Sequence, residues 1–265
     1  MSARSWVNQL SSPGAVRMIA VDLPGHGESD PRPGVSVEEY AAVVAEFLIA
    51  LECGPVVVIG HSLGGAIALA LAARHPELVR GLVLIASCVK LPLVDSVGER
   101  LVAYLPGPLR RLVFFSMAKK VLFAPQAPAD VIEIAMRDLR ACRPETIMSD
   151  VRAARAMDLT EPAAALDVPT LVLAGARDRL TTPALAAGLS ALIRGSWLRL
   201  ADGAGHMLPM EAPEWVNREI ATFVASLAEP LPSSEAIATR RPSFARRVLD
   251  WLARMVRRRR PPTPH

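Results

Sequence analysis

Five residues, Gly60-His61-Ser62-Leu63-Gly64, set a serine between two glycines. They follow an apolar run, Val56 to Ile59, and open a small-residue helical run, Gly65 to Arg74. G-x-S-x-G between a strand and a helix lifts a serine hydroxyl clear of a sheet on a strained turn. The flanking glycines are expected where a Cβ would collide with the neighbouring strand and helix. The next amide, Leu63 N–H, sits at a helix N-terminus and points at developing negative charge. This is the chemistry of a nucleophile with an oxyanion donor beside it.

A serine hydroxyl is a poor nucleophile at neutral pH and needs a base, with an acid to orient that base. The chain has five histidines. His61 adjoins the serine, and its side chain is expected to leave the turn in another direction. His75 ends the following helix and His265 ends the tail. His26 lies in a turn, where a structural hydrogen bond is its expected task. His206 remains, in the loop Gly203-Ala-Gly-His-Met207 after the last strand, at the edge where a parallel sheet presents its site. The acid should follow another strand. Asp178 does so; Asp167 precedes its strand, and Asp202 stands too close to His206. The order Ser62, Asp178, His206 is the one expected for a nucleophile on such a turn.

These residues need a scaffold. Val16 to Val21 is β-rich and closes in the turn formers Asp22 to Ser29. Val37 to Leu51 has helical periodicity. Pro55 to Gly60, Leu82 to Ala86, Pro169 to Gly175 and Trp197 to Leu200 are apolar runs without in-out alternation. Such strands between helices predict an α/β fold, a mostly parallel sheet covered on both faces. Leu91 to Leu159 has short helical patterns, several prolines and no strand, and reads as an inserted helical cap. The expected organisation is core over residues 1–88, cap over 89–160, core again over 161–228, and a linker with a tail over 229–265.

Composition narrows the class. A chain of 265 residues can bury a full core. It has no apolar stretch near the roughly 20 residues needed to cross a bilayer. Met1 to Leu10 lacks the apolar centre of a secretion signal. Cys53, Cys88 and Cys142 are far apart and fit no metal spacing, so a reduced, cytoplasmic protein is expected. The net charge of +4 is uneven. From Glu235 onward there are nine arginines against two acids, so the body is acidic and the tail basic.

With Asp22-Leu-Pro-Gly-His-Gly-Glu-Ser29, Gly60-His-Ser-Leu-Gly-Gly65, Asp178 and Gly205-His206 in place, the chain resembles the α/β-hydrolase family from about Ser2 to Leu227. The resemblance implies a serine hydrolase with the triad Ser62, Asp178 and His206, using no metal or organic cofactor. It leaves the substrate open among esters, lactones, C–C bonds and acyl-carrier methyl esters. Ser62 sets it apart from members with an aspartate nucleophile. The family has three further strands before the first one seen here, and the third ends in a His-Gly loop that supplies a second oxyanion amide. In this chain Ser2 to Trp6 stands where the helix after that loop would begin. The expectation is therefore an N-terminally incomplete fold with Leu63 N–H as the retained donor, and Met1 as an internal start or a truncation.

The expected reaction is acyl transfer to Ser62, then hydrolysis. A protein that keeps the fold as an interaction module is the competing class. Leu101, Leu105, Leu112, Val113, Phe114 and Phe115 in the cap suit an apolar group. Arg137, Arg140, Arg143, Arg152 and Arg155 suit an acidic carrier or a carboxylate, or are a solvated face. In the tail, Phe244, Val248, Trp251, Leu252 and Met255 share one helical face with arginines elsewhere. That pattern fits peripheral contact with anionic lipid, or equally a disordered, solubilising tail, with no specific nucleic-acid role. The chain should sediment with anionic vesicles at low salt and lose this on cleavage after Ser234; no sedimentation at low salt would remove the lipid reading.

Overall fold

A computed structural model describes residues 2–12, 17–32, 35–92 and 106–227. Val16, Leu101, Leu105 and the expected linker and tail lie outside the described residues. Four strands form one parallel sheet in the order β1 (Val56–His61), β2 (Val79–Ile85), β3 (Thr170–Gly175) and β4 (Trp197–Ala201). Both faces of its centre are covered, which is why the strands read as unbroken apolar runs. Side chains alternate across the pleat. Leu82 and Leu84 join Leu71, Val172 and Leu189 in one core, while Val83 and Ile85 join Leu171, Leu173 and Phe223 in the other.

The first core is roofed by α2 (Val37–Leu51), α3 (Leu63–Arg74) and a later helix, α8 (Pro183–Leu192). The start of α2 is set by a capping box. Ser36 Oγ accepts from Glu39 N–H at 3.2 Å, and the Glu39 carboxylate accepts from Ser36 N–H at 2.8 Å. Every residue of α3 from Gly65 to Leu71 is buried. Four of these seven are Gly or Ala, so the helix lies close against the sheet. The second core is closed by α9 (Leu208–Glu211), α10 (Pro213–Ser226) and the helical residues Ala3–Trp6, which lead into α1 (Val7–Leu10).

Between β2 and β3 come α4 (Gly107–Leu122), α5 (Ala129–Ala141), α6 (Pro144–Ala156) and α7 (Thr160–Ala164). No strand interrupts them among the described residues. Helix α6 is tied to the turn at 23–29. Asp150 accepts from the Tyr40 hydroxyl at 2.9 Å, and its other oxygen lies 2.8 Å from His26 Nε2. The Thr146 hydroxyl donates to Gly25 O at 3.3 Å. Burial, with the Asp150 carboxylate beside it, raises the Tyr40 phenol well above its ordinary value. His26 thus has a structural hydrogen-bonding role.

One expected strand is absent. Residues 17–21 form no ladder, and Ile19 and Val21 are 40% and 39% exposed. A β-rich run becomes a strand only when a neighbour takes its hydrogen bonds. Among the described residues no strand lies beside β1 on that side. β1 is therefore an edge strand among the described residues, although its sequence suits a sheet interior. Its first four residues are only half-buried. A cleft of about 2740 Å³ runs along this edge, between Arg17–Val21 and Val56–Ile59, and continues up to Ser62 beneath α4.

Candidate active site

Ser62 occupies the turn between β1 and α3 with φ +55° and ψ −122°. That region is costly for a residue with a Cβ and persists only where the surroundings impose it. Ser62 N–H donates to Ile85 O of β2 at 2.8 Å, and Ser62 O accepts from Gly65 N–H at 2.9 Å. A Cβ at Gly60 would overlap the Gly64 carbonyl, and one at Gly65 would lie 2.6 Å from Ser87 Cβ. A Cβ at Gly64 would meet nothing within 4 Å. The steric demand expected on both sides of the serine thus falls on Gly60 and Gly65, and Gly64 does not share it. Leu63 begins α3, so its amide is among the first four that have no partner within the helix.

The residues expected as base and acid, His206 and Asp178, arrive on the loops after β4 and β3. His206 Nε2 lies 2.9 Å from Ser62 Oγ, and His206 Nδ1 lies 2.9 Å from Asp178 Oδ2. Asp178 is 4% exposed and His206 2%, so this pair is shielded from water. Gly175, at the end of β3, lets the loops meet: a Cβ there would strike the carbonyls of Ala204 and Gly205. All three residues singled out for chemistry therefore stand in one hydrogen-bonded row, 116 residues of chain separating the first from the second.

The Asp178 carboxylate is fully occupied. Leu180 N–H and Thr181 N–H donate to Oδ1 at 2.8 and 3.0 Å, and the Thr181 hydroxyl donates to Oδ2 at 2.7 Å. Burial pushes its pKa up, but the bond and charge of His206 and the Thr181 and Leu180 donors outweigh that and hold it below the usual range. Two consequences follow. The ring proton sits on Nδ1, facing Asp178, and the Nε2 lone pair faces Ser62. The carboxylate also offers a place for positive charge to develop on the ring.

Three supporting residues escaped the sequence. Thr181 is one, and its only signal was a hydroxyl three residues past the acid. Glu211 is the second. Its carboxylate accepts from Gly205 N–H, Met207 N–H and Ala124 N–H, each at 3.0 Å. It grips the chain on both sides of His206 and joins that loop to the end of α4. Burial raises the Glu211 pKa, although the three amides oppose this. The third is His61. Its ring was expected to leave the turn elsewhere, but it packs 5.1 Å from the His206 ring, with Nε2 2.7 Å from His206 O. His61 is the last residue of β1, paired with Ile85, and its ring finds this partner only through the approach of the loop after β4.

The cleft above Ser62 has an apolar wall from Phe114, Met117 and Val121 of α4 and an arginine rim from Arg110, Arg111, Arg140 and Arg155. The Arg111 and Arg140 guanidinium groups lie 5.6 Å from the centre of the Phe115 ring. Arg143 is directed to the core turn, donating to Ser29 O at 3.4 Å. Cys88 also lines the cleft, but burial pushes its thiol up to about 11, so it does not compete as a nucleophile at neutral pH.

Comparison with known proteins agrees with this fold. The model of the Alpha/beta hydrolase family matches residues 1–219. A pimeloyl-[acyl-carrier protein] methyl ester esterase of Neisseria meningitidis serogroup C is 33% identical over 196 residues, covering 71% of this chain and 75% of that protein. A 2-(acetamidomethylene)succinate hydrolase of Mesorhizobium japonicum is 27% identical over 219 residues, covering 78% and 77%. A thermophilic esterase from Thermogutta terrifontis, solved with malate bound, superposes with a TM-score of 0.75 at 26% identity, covering 86% and 87%.

Replacing Asp178 by Asn would favour the wrong ring tautomer. The acetylation rate of Ser62 by p-nitrophenyl acetate is expected to fall by on the order of 10⁴-fold. A depressed carboxylate also links to stability. Its contribution is present above the unfolded pKa of about 4 and is lost as pH falls from there through the lower folded value. Thermal melts should therefore show wild type losing stability below about pH 4 more steeply than the Asn variant. Equal acetylation rates would remove Asp178 from the site.

Proposed function

Because the chain belongs to the alpha/beta hydrolase family, we propose that Ser62 cleaves a carboxylic ester through an acyl-enzyme. The observation that supports this most is the hydrogen-bonded row Ser62–His206–Asp178 beneath a cleft. His206 Nε2 takes the Ser62 proton as Oγ attacks the acyl carbonyl. Asp178 holds the Nδ1 proton in place and stabilises the imidazolium. Leu63 N–H, at the start of α3, faces the developing oxyanion. The imidazolium then protonates the leaving alkoxide, and the alcohol departs. Water repeats the cycle, with His206 as base, to release the acid.

The substrate proposed is an ester with an apolar acyl part and an anionic group beyond it. The apolar part suits the Phe114, Met117 and Val121 wall, and the anion suits the arginine rim. Both named relatives support this direction. One is named for a pimeloyl ester on an acyl carrier protein, the other for a succinate derivative. Of the cap arginines singled out earlier, Arg140 and Arg155 line the cleft. Arg143 serves the core turn instead.

Kinetics on a pair of methyl esters tests the assignment, one of a neutral fatty acid and one of a dicarboxylic acid of equal length. Arg140→Ala is expected to raise KM for the carboxylate-bearing ester about 5- to 10-fold, the loss of one exposed charge contact. The neutral ester should be unaffected. A similar change for both esters would show that Arg140 packs against the cap without reading charge.

A further inference from the structure

We propose that His61 is a positioning residue for this reaction, locking the loop of His206 to the turn of Ser62 through the His206 carbonyl. The proposal rests on the hydrolase reading above. It begins with the backbone around the base. Glu211 takes the amides of Gly205 and Met207, the residues on either side of His206. Between them lies the His206 carbonyl, and His61 Nε2 lies 2.7 Å from it. A carbonyl can only accept, so Nε2 carries the proton and donates. His61 is adjacent in sequence to the nucleophile. One hydrogen bond therefore joins two loops that are 145 residues apart and whose separation sets the Ser62–His206 distance.

Turnover gives this bond its importance. When Ser62 loses its proton, the Oγ–Nε2 hydrogen bond that aligned the ring is consumed. Asp178 then holds the ring at Nδ1, and the backbone must keep Cα in place while Nε2 turns from serine to leaving group. A donor on the His206 carbonyl holds it from the nucleophile side. The donor must also be uncharged, because the two rings are 5.1 Å apart and His206 becomes a cation. His61 meets that condition. Burial, and then the neighbouring His206, lower its pKa to about 3, so it stays neutral through the working range. A lysine or arginine at this position would supply a donor but oppose the imidazolium.

Two variants separate positioning from packing. His61→Phe keeps a ring but removes the donor. His61→Gln places an N–H close to where Nε2–H stood. Each is assayed on a neutral p-nitrophenyl ester, with kcat expressed per site titrated by a fluorophosphonate, and melted in parallel. His61→Phe should lower kcat per titrated site by on the order of 10- to 100-fold, with KM changed by less than about two-fold. His61→Gln should recover most of the loss. If His61→Phe fails to fold, a His61→Gln variant with near wild-type kcat per site still supports the donor role. A purely structural role would lower the melting temperature and the titrated fraction while leaving kcat per titrated site at the wild-type value in His61→Phe, and that result overturns the proposal. So does a His61→Gln variant as slow as His61→Phe. A folded wild type that neither turns over nor labels removes the hydrolase reading, and this proposal with it.

Discussion

The site depends on one constraint: Ser62 must hold a positive φ at the end of β1. Residues with a Cβ resist that conformation, so the surroundings must impose it. They do so in two ways. Gly60 and Gly65 remove the Cβ atoms that would overlap the Gly64 carbonyl and Ser87. The Ser62 amide is then pinned to Ile85 O in the sheet interior, and its carbonyl to the first turn of α3. The strain is thus anchored in the best-buried part of the molecule. The hydroxyl faces the cleft, and the next amide starts a helix.

The parallel sheet supplies the rest. Strands running the same way put their C-terminal loops on one edge, so β1, β3 and β4 deliver Ser62, Asp178 and His206 to one place. Close approach needs Gly175, where a side chain would hold the two loops apart. Burying a carboxylate and an imidazole costs solvation. The cost is offset because every Asp178 lone pair that the geometry shows in use meets a donor, and the donors lie within three residues of it or on His206. The half-buried Glu211 does similar work for the backbone with three amides. Its bond to Ala124 also couples the base loop to the helix that walls the cleft, so the substrate roof and the base share one support.

Much of this was legible in the sequence, for stated reasons. β2 and β3 announced themselves because strands buried on both faces must be apolar throughout. The meeting of Ser62, Asp178 and His206 was legible because each follows a strand run, and parallel strands end at one edge. The misses have causes as definite. Arg17–Val21 has the composition of a strand, but composition says nothing of whether a neighbour is present to pair with. His61 was misdirected because it stands where the strand gives way to the turn. Thr181 and Glu211 were silent because their contacts are made across loops whose approach the sequence does not reveal. Gly64 matches the motif, yet no contact explains it.

The central claim is that Ser62, His206 and Asp178 form a working nucleophile in this chain. Intact-mass analysis of the purified protein after exposure to a fluorophosphonate, with Ser62→Ala alongside, tests it most directly. The account predicts one adduct on wild type and none on Ser62→Ala. A folded wild type that gains no mass, or a Ser62→Ala variant that gains the same adduct, would contradict it.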